Sequence, residues 1–509
     1  MAIAKIYSRA RIGLDAPTVI VEVHIANGLP AFNIVGLPET TVKESKDRVR
    51  SALINCGYDF PGRRITVNLA PADLPKEGGR FDLPIAIGIL LASEQLPAFA
   101  TEQLEFAGEL SLSGELRPIL GEISMAMACS QQGRDLFLPE GNSAQASWVD
   151  GVRIFPLKHL KQLFPHLQQI NPITPMATTK PQASGAEHKI DLSDIIGQNS
   201  AKRGLEIAAA GGHNLLLIGP PGTGKTMLAS RLATLLPDME QTEALQTAAI
   251  RSICGQQITS DNWLLRPFRA PHHNASSAAL VGGGSHPQPG EITLAHNGIL
   301  FLDELPEYDR KVLDLLREPL ESGEVTISRV KQKTSYPAKF QLIAAMNPSP
   351  TGFYNDKRTT PEQVMRYLNR LSGPLLERID MQLEVPLLPK GYWRQDKAQQ
   401  TGECSETVRT RVIASRQIQI RRQGKANHRL TPAELNQYCG LCDDDREFFE
   451  LAVEKLGLST RVHHNLLKIA RTIADLANAK SIDKHHLTEA LSYRAMDRIL
   501  TFLASNLQR

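Results

Sequence analysis

The octapeptide Gly219–Thr226, GPPGTGKT, limits what this chain can fold into more than any other stretch. It follows the apolar run NLLLI and opens the pattern TMLASRLATLL, which Pro237 ends. Strand, glycine loop and helix therefore occur in the order that a phosphate-binding loop requires. Gly219, Gly222 and Gly224, spaced by Pro220, Pro221 and Thr223, let backbone N–H groups face phosphate oxygens, and the start of the helix favours their negative charge. Lys225 is expected to reach the terminal phosphates of ATP and Thr226 to bind Mg²⁺.

Two further strings extend this site. In GILFLDE an apolar strand delivers Asp303 and Glu304 together at its end. Asp303 is expected to hold Mg²⁺, directly or through water, and Glu304 to polarise the attacking water. FQLIAAMN ends a third strand at Asn347, placed to orient that water. Short buried strands separated by helical patterns argue for a parallel sheet with its functional groups at the strands' carboxyl ends. The fold class is α/β, with an all-helical region from about Tyr392 onward.

At 509 residues the chain is too long for one hydrophobic core, and roughly three units are expected. The Pro-, Thr- and Ser-rich stretch 169–190 reads as a linker, giving an N-terminal domain over 1–168, an ATPase core over 191–392 and a helical lid over 393–509. A net charge of +3 gives weak global attraction to nucleic acid, so any such binding falls to local basic patches. There is no signal-peptide pattern, and LPIAIGILLAS is too short to span a bilayer, so a cytoplasmic protein with no membrane partner is expected. Cys439 and Cys442 form a single CxxC, for which buried or idle thiols are a better reading than zinc.

The N-terminal domain reads as mixed α and β. A hairpin is expected about Asn27-Gly28, then a helix opened by a capping box from Thr41 to Glu44, the strand RITVNLA, the buried helix FDLPIAIGILLAS and a second hairpin in LEFAGELSLSGELRPI. Between Glu304 and Asn347, the stretch ESGEVTISRVKQKTSYPAKF predicts an inserted β-hairpin with Arg329, Lys331 and Lys333 toward its tip. Two readings stand for it: a surface hairpin with solvated lysines, or a grip on a phosphate backbone. The glycine-rich insertion around RPFRAPHH has the look of a flexible loop, and adjacent His272 and His273 suit polar contacts better than joint metal ligation. Arg416, Arg421, Arg422 and Lys425 read by default as a solvated helix face, with nucleic-acid contact as the alternative.

The phosphate loop, LDE and AAMN in this order resemble the AAA+ ATPases, in which ATP sits between neighbours in a ring. LSGPLLERID resembles that superfamily's arginine-finger segment, with Arg378 reaching the next subunit's γ-phosphate, and LSTRVHHNLL resembles the second sensor, with Arg461 on the nucleotide. The inserted hairpin resembles that of the clade holding the MCM helicases and the magnesium-chelatase motor subunits, where it faces the ring's pore. RPFRAPHH, PGEITLAHNGILFLDELPE, SGPLLERID and KIARTIADL together resemble the ComM/YifB, magnesium chelatase-like family over nearly the whole chain. That resemblance implies a hexameric, ATP- and Mg²⁺-dependent DNA helicase acting in branch migration during natural transformation. Its implied partners are single-stranded and branched DNA, further copies of itself and recombinase pathway proteins. A chelatase-like or unfoldase-like protein-remodelling motor is the rival reading.

The first 168 residues resemble the proteolytic domain of Lon proteases, through VNLAPADLPKEGGRFDLPIAIGI and GELSLSGELRPILGEISMA. The serine of that family falls at or next to Arg80 and its lysine near Ile123, so neither catalytic residue is present and no peptidase activity is expected. Arg63, Arg64, Lys76 and Arg80 read either as ordinary surface cations or as a nucleic-acid face.

Overall fold

The computed structural model describes residues 3–178, 180–181, 190–284, 288–329, 332–353, 359–388 and 402–507. Its contacts divide the chain into two compact units, Met1–Gly185 with Glu240–Leu264, and Ala186–Met239 with Leu265–Arg509.

In the first unit, alternating apolar residues build a seven-stranded sheet. Its members are β1 (Ile3–Arg9), β2 (Thr18–Ala26), β3 (Ala31–Val35), β4 (Arg64–Ala70), β5 (Leu104–Phe106), β8 (Asp135–Pro139) and β9 (Ile154–Leu157), in the order β3-β4-β2-β1-β5-β8-β9. Between β5 and β8 the chain forms the expected small hairpin, β6 (Glu109–Leu110) with β7 (Leu116–Arg117). Val19, Val21 and Val23 of β2 and Ile65, Val67 and Leu69 of β4 turn one face into the core. Against that face lies α2 (Asp82–Ala92), buried along nearly its whole length, as the apolar run in its sequence predicts, and α1 (Ser45–Asn55) packs on α2.

Two local expectations fail here. The Asn27-Gly28 turn does not fold β3 back on β2, because β4 lies between them, antiparallel to β2 and parallel to β3. The alternation of β4 lets it bond along both edges, and this non-local pairing overrides the local turn signal. Thr41 caps no helix: the turn Thr40–Lys43 begins after Glu39, and the Thr41 hydroxyl instead accepts from the Gly78 N–H at 3.2 Å.

The cations of this unit are mostly turned inward. Fully buried Glu105 accepts two bonds of 2.7 Å from Arg9 and one of 3.1 Å from Arg134. Lys76 is buried and donates to the Pro71 carbonyl, while Arg80 is buried and donates to the Leu120 carbonyl at 3.1 Å. Burial, with repulsion from Arg11, pulls the Arg80 guanidinium down to about 10. Of the four cations considered for a nucleic-acid face, only Arg63 and Arg64 are exposed. A buried side chain with a backbone partner is unavailable to a phosphate.

The first unit also takes in a segment that the sequence division assigned to the ATPase core. After Met239 the chain leaves the second unit, forms the helix Gln241–Ile253, and returns at Leu265. Small buried residues, Ala244, Ala248 and Ala249, let this helix approach closely to α3 (Glu122–Gln132). Ser252 donates to Glu122 at 2.8 Å, Arg11 donates to the Ile253 carbonyl at 3.3 Å, and Trp263 meets Trp148 edge-on at 5.0 Å between ring centroids. Glu122 directly precedes Ile123, which is itself fully buried.

The second unit is built on five parallel strands, β10 (Leu215–Ile218), β11 (Phe268–Arg269), β14 (Ile299–Leu302), β17 (Gln341–Met346) and β18 (Met381–Glu384). Their order, β11-β14-β17-β10-β18, puts the strand that carries the glycine loop between the two strands reached by crossovers. The central strands are buried on both faces, which is why they read as unbroken apolar runs. Their core is continuous with that of α4 (Asn199–Gly211), α5 (Lys225–Leu235), α7 (Ser405–Gln423) and α8 (Thr460–Leu476). The helical C-terminal region thus shares one hydrophobic core with the sheet. A short helix, α6 (Arg317–Ser322), precedes the inserted hairpin of β15 (Glu324–Arg329) and β16 (Gln332–Pro337), and a smaller hairpin pairs β12 (Gly282–Gly283) with β13 (Gln288–Pro289).

The basic residues of and after α7 are largely not a solvated face. Arg422 binds buried Asp475 at 2.5 and 2.9 Å, Arg416 donates to the Ala209 carbonyl at 2.7 Å, and Lys425 pairs with Glu434 at 2.7 Å, while Arg421 is exposed. Cys439 is buried and Cys442 exposed, both as free thiols. Among the described residues no helix is long and apolar enough to cross a membrane.

Candidate nucleotide site

The glycine loop joins β10 to α5 at the carboxyl end of the sheet. Gly222 and Gly224 hold φ of +77° and +85°, a backbone region that favours glycine. Gly219 is needed for a different reason: a Cβ there would lie 2.2 Å from the Val385 carbonyl oxygen. Lys225 turns back across the loop and donates to the carbonyls of Gly219 and Pro220 at 2.7 and 2.9 Å and to Asn347 Oδ1 at 3.0 Å. Burial pulls its ammonium below the usual lysine range, against the attraction of Asp303 and Glu304. Its bonded partners are all neutral oxygens, so its positive charge stays available to an anion at the loop.

β14 ends at Leu302, and the next two residues carry the carboxylates. Asp303 Oδ2 accepts from the Thr226 hydroxyl at 2.7 Å, and its Oδ1 accepts from the Glu304 N–H at 2.9 Å. A hydroxyl and a carboxylate converging at the loop are the hard oxygen donors that Mg²⁺ takes when substrate phosphates and water supply the rest of its shell, so these residues fit that ion. Glu304 sits in the left-handed region at φ +53°, which breaks the strand's alternation beside Asp303. Its half-exposed carboxylate lies 3.1 Å from His273 Nδ1. The segment bearing His273 is fixed by Arg269, bidentate to Glu291 at 2.6 and 2.7 Å, and by Tyr308, whose hydroxyl donates to the Pro271 carbonyl at 2.7 Å. A contact between His273 and Glu304 could not be read from the sequence, which offered only two adjacent histidines suited to polar contacts.

The two arginines assigned by resemblance meet elsewhere in this unit. Arg378 Nη2 and Arg461 Nη2 donate to the same oxygen of Glu321, on α6, at 2.6 and 2.8 Å. Neither is bonded to the glycine loop, to Asp303, Glu304 or Asn347 among the described residues.

Three family descriptions match the chain: "Magnesium chelatase, subunit ChlI" over residues 191–392, "Subunit ChlI of Mg-chelatase" over 21–142, and "Magnesium chelatase, subunit ChlI C-terminal" over 402–494. The competence protein ComM of Haemophilus influenzae is 54% identical over 514 residues, covering 99% of this chain and 100% of its own. The YifB protein of Salmonella typhimurium is 54% identical over 506 residues, 99% of each chain. The magnesium-chelatase 38 kDa subunit of Rhodobacter capsulatus is 27% identical over 350 residues, 63% of this chain and 93% of its own. The chain belongs to the magnesium chelatase-like ComM/YifB family of AAA+ proteins.

In this ComM/YifB chain the inserted hairpin forms, with its pairing running from Glu324↔Pro337 to Arg329↔Gln332. Its inner face is apolar, with Val325, Ile327 and Tyr336 buried, and Ile327 reaches the β12–β13 hairpin beside Gly282. The two insertions therefore pack on each other. Of the three cations expected to grip DNA, Lys333 is exposed, Arg329 ends β15, and Lys331 lies outside the described residues.

Proposed function

We propose that this ComM/YifB protein is a ring-forming ATPase that drives DNA branch migration during recombination of incoming DNA in natural transformation. The observation that carries the ATPase reading is the convergence of Lys225, Thr226, Asp303 and Asn347 at one loop. In this reading the N–H groups of Gly222 to Thr226 and the Lys225 ammonium bind the phosphates of ATP, and Thr226 and Asp303 hold Mg²⁺. Mg²⁺ held there would supply charge neutralisation at the phosphate oxygens. Glu304 takes the proton of the attacking water, Asn347 orients that water, and His273 fixes the Glu304 carboxylate. The apolar cleft of about 250 Å³ beside Gly219 and Pro220, walled by Ile218, Phe353, Leu387 and Ile499, suits the flat face of a nucleobase.

A ring is supported by the arginines. Arg378 lies with Arg461 on Glu321 rather than at its own loop, as expected for a group that serves a neighbouring copy's γ-phosphate. DNA as the substrate is supported by the name of the Haemophilus relative and by the basic hairpin with exposed Lys333. Peptidase activity is not expected, since the resemblance puts the serine at or next to Arg80 and the lysine near Ile123, and neither reacting group is present there. The chelatase-like alternative draws on the Rhodobacter relative, whose alignment leaves about a third of this chain unmatched.

The test is ATP-dependent migration of a synthetic four-way junction by the wild type and by Glu304→Gln, with ATPase rates measured with and without DNA. Migration by the wild type alone is the expected result. ATP hydrolysis indifferent to DNA, with no migration, would move the assignment to a protein-remodelling motor.

A further inference from the structure

Glu321 lies on a six-residue helix just ahead of the inserted hairpin, and its one oxygen, Oε1, accepts from both Arg378 and Arg461. These arginines lie 57 and 140 residues beyond the carboxylate in the chain. Two guanidiniums repel one another, so an anion must lie between them to keep them together. Glu321 supplies it, and hydrogen bonds from Arg461 and Arg378, set against partial burial, hold its carboxyl below the usual range. The Arg378 side chain is only 9% exposed and also donates to the Pro374 carbonyl at 2.6 Å, whereas Glu321 and Arg461 are 49% and 40% exposed. The pair is thus preassembled on the chain but open to solvent on one side.

Resting on the ring-ATPase reading above, we infer that Glu321 is a positioning residue: it is the resting partner that holds Arg378 and Arg461 as a unit until the γ-phosphate of a neighbouring copy takes them over. The Nη2 groups that bind Glu321 are the donors a terminal phosphate would use, so the two partners compete. A phosphate brings more charge and three acceptor oxygens, and it displaces the carboxylate. Glu321 therefore weakens ATP-driven assembly in return for keeping both arginines in place beforehand.

The competition fixes the sign of the test. The full chain is titrated with a non-hydrolysable ATP analogue and Mg²⁺, and self-association is followed by sedimentation. Glu321→Gln, which removes the charge and keeps the shape, is expected to assemble at about 3- to 10-fold lower analogue concentration, the size expected when two partly exposed ion pairs are given up. Glu321→Asp, which restores the charge, is expected within about twofold of wild type. A purely structural role would lower the unfolding temperature of Glu321→Gln and leave its midpoint unchanged or raised. That result overturns the inference, and Glu321→Ala serves as the second charge-removing variant if Glu321→Gln does not fold. A wild type that ignores the analogue sinks the ring reading, and this inference with it. A wild type that assembles while Glu321→Gln shows no shift sinks this inference alone.

Discussion

The buried charges of the N-terminal unit and the nucleotide-site charges of the second unit are held in opposite ways. In the N-terminal unit Arg9 and Glu105 are buried as an ion pair, and buried Lys76 and Arg80 each donate to a backbone carbonyl. In the second unit Lys225 has only neutral partners, and Glu304 is half exposed at a strand end. A satisfied buried charge contributes to one fixed arrangement, and its removal leaves an uncompensated partner. A charge held by weak or exchangeable partners can be given to a ligand. The contrast predicts that substitutions at these buried residues of the first unit act on stability and those at the nucleotide site of the second on rate.

The sharpest test of this contrast is Glu304→Gln. Loss of the proton acceptor is expected to lower the ATPase rate about 10²- to 10⁴-fold. Analogue binding and the unfolding temperature should stay unchanged, as isothermal titration and calorimetry will check. The counterpart in the first unit is Glu105→Ala, which leaves Arg9 buried without its carboxylate and is expected to cost about 3–5 kcal/mol in denaturant unfolding. The folded fraction should keep its ATPase rate. A Glu105→Ala protein with normal stability would break the comparison.

Smaller effects sharpen it. His273→Ala removes a contact to a partly exposed carboxylate, and a rate loss of up to about tenfold is expected, with unchanged stability. Lys333→Ala is expected to leave the DNA-free ATPase rate unchanged and to lower the slope of log affinity against log salt for single-stranded DNA by about 1 or less. An unchanged slope would count against hairpin contact with the phosphate backbone.

The same division explains what the sequence disclosed. The glycine loop, Asp303-Glu304 and Asn347 lie in short contiguous strings, where local order of strand, turn and helix already dictates where side chains emerge. The inserted hairpin was legible for the same reason. The seat of the helix Gln241–Ile253 was not, because an amphipathic pattern says that a face is buried but not which surface buries it. Burial of Lys76 and Arg80 depends on the carbonyls of Pro71 and Leu120, and the misread Asn27-Gly28 turn depends on β4 arriving from 30 or more residues later. The meeting of Arg378 with Arg461 on Glu321 is likewise a product of tertiary packing, since no local pattern links a turn and two helices so far apart in sequence.

The central claim is that each active site is completed by arginines from a neighbouring copy. It is tested most directly by mixing Arg378→Ala with Glu304→Gln, each expected to be nearly inactive alone, the former because an arginine finger is worth about 10³ to 10⁵ in rate. A mixed ring contains interfaces that pair the intact Glu304 of one copy with the intact Arg378 of the other. ATPase activity regained on mixing, in proportion to such interfaces, is the predicted result. Activity that stays at the sum of the two separate variants would contradict it.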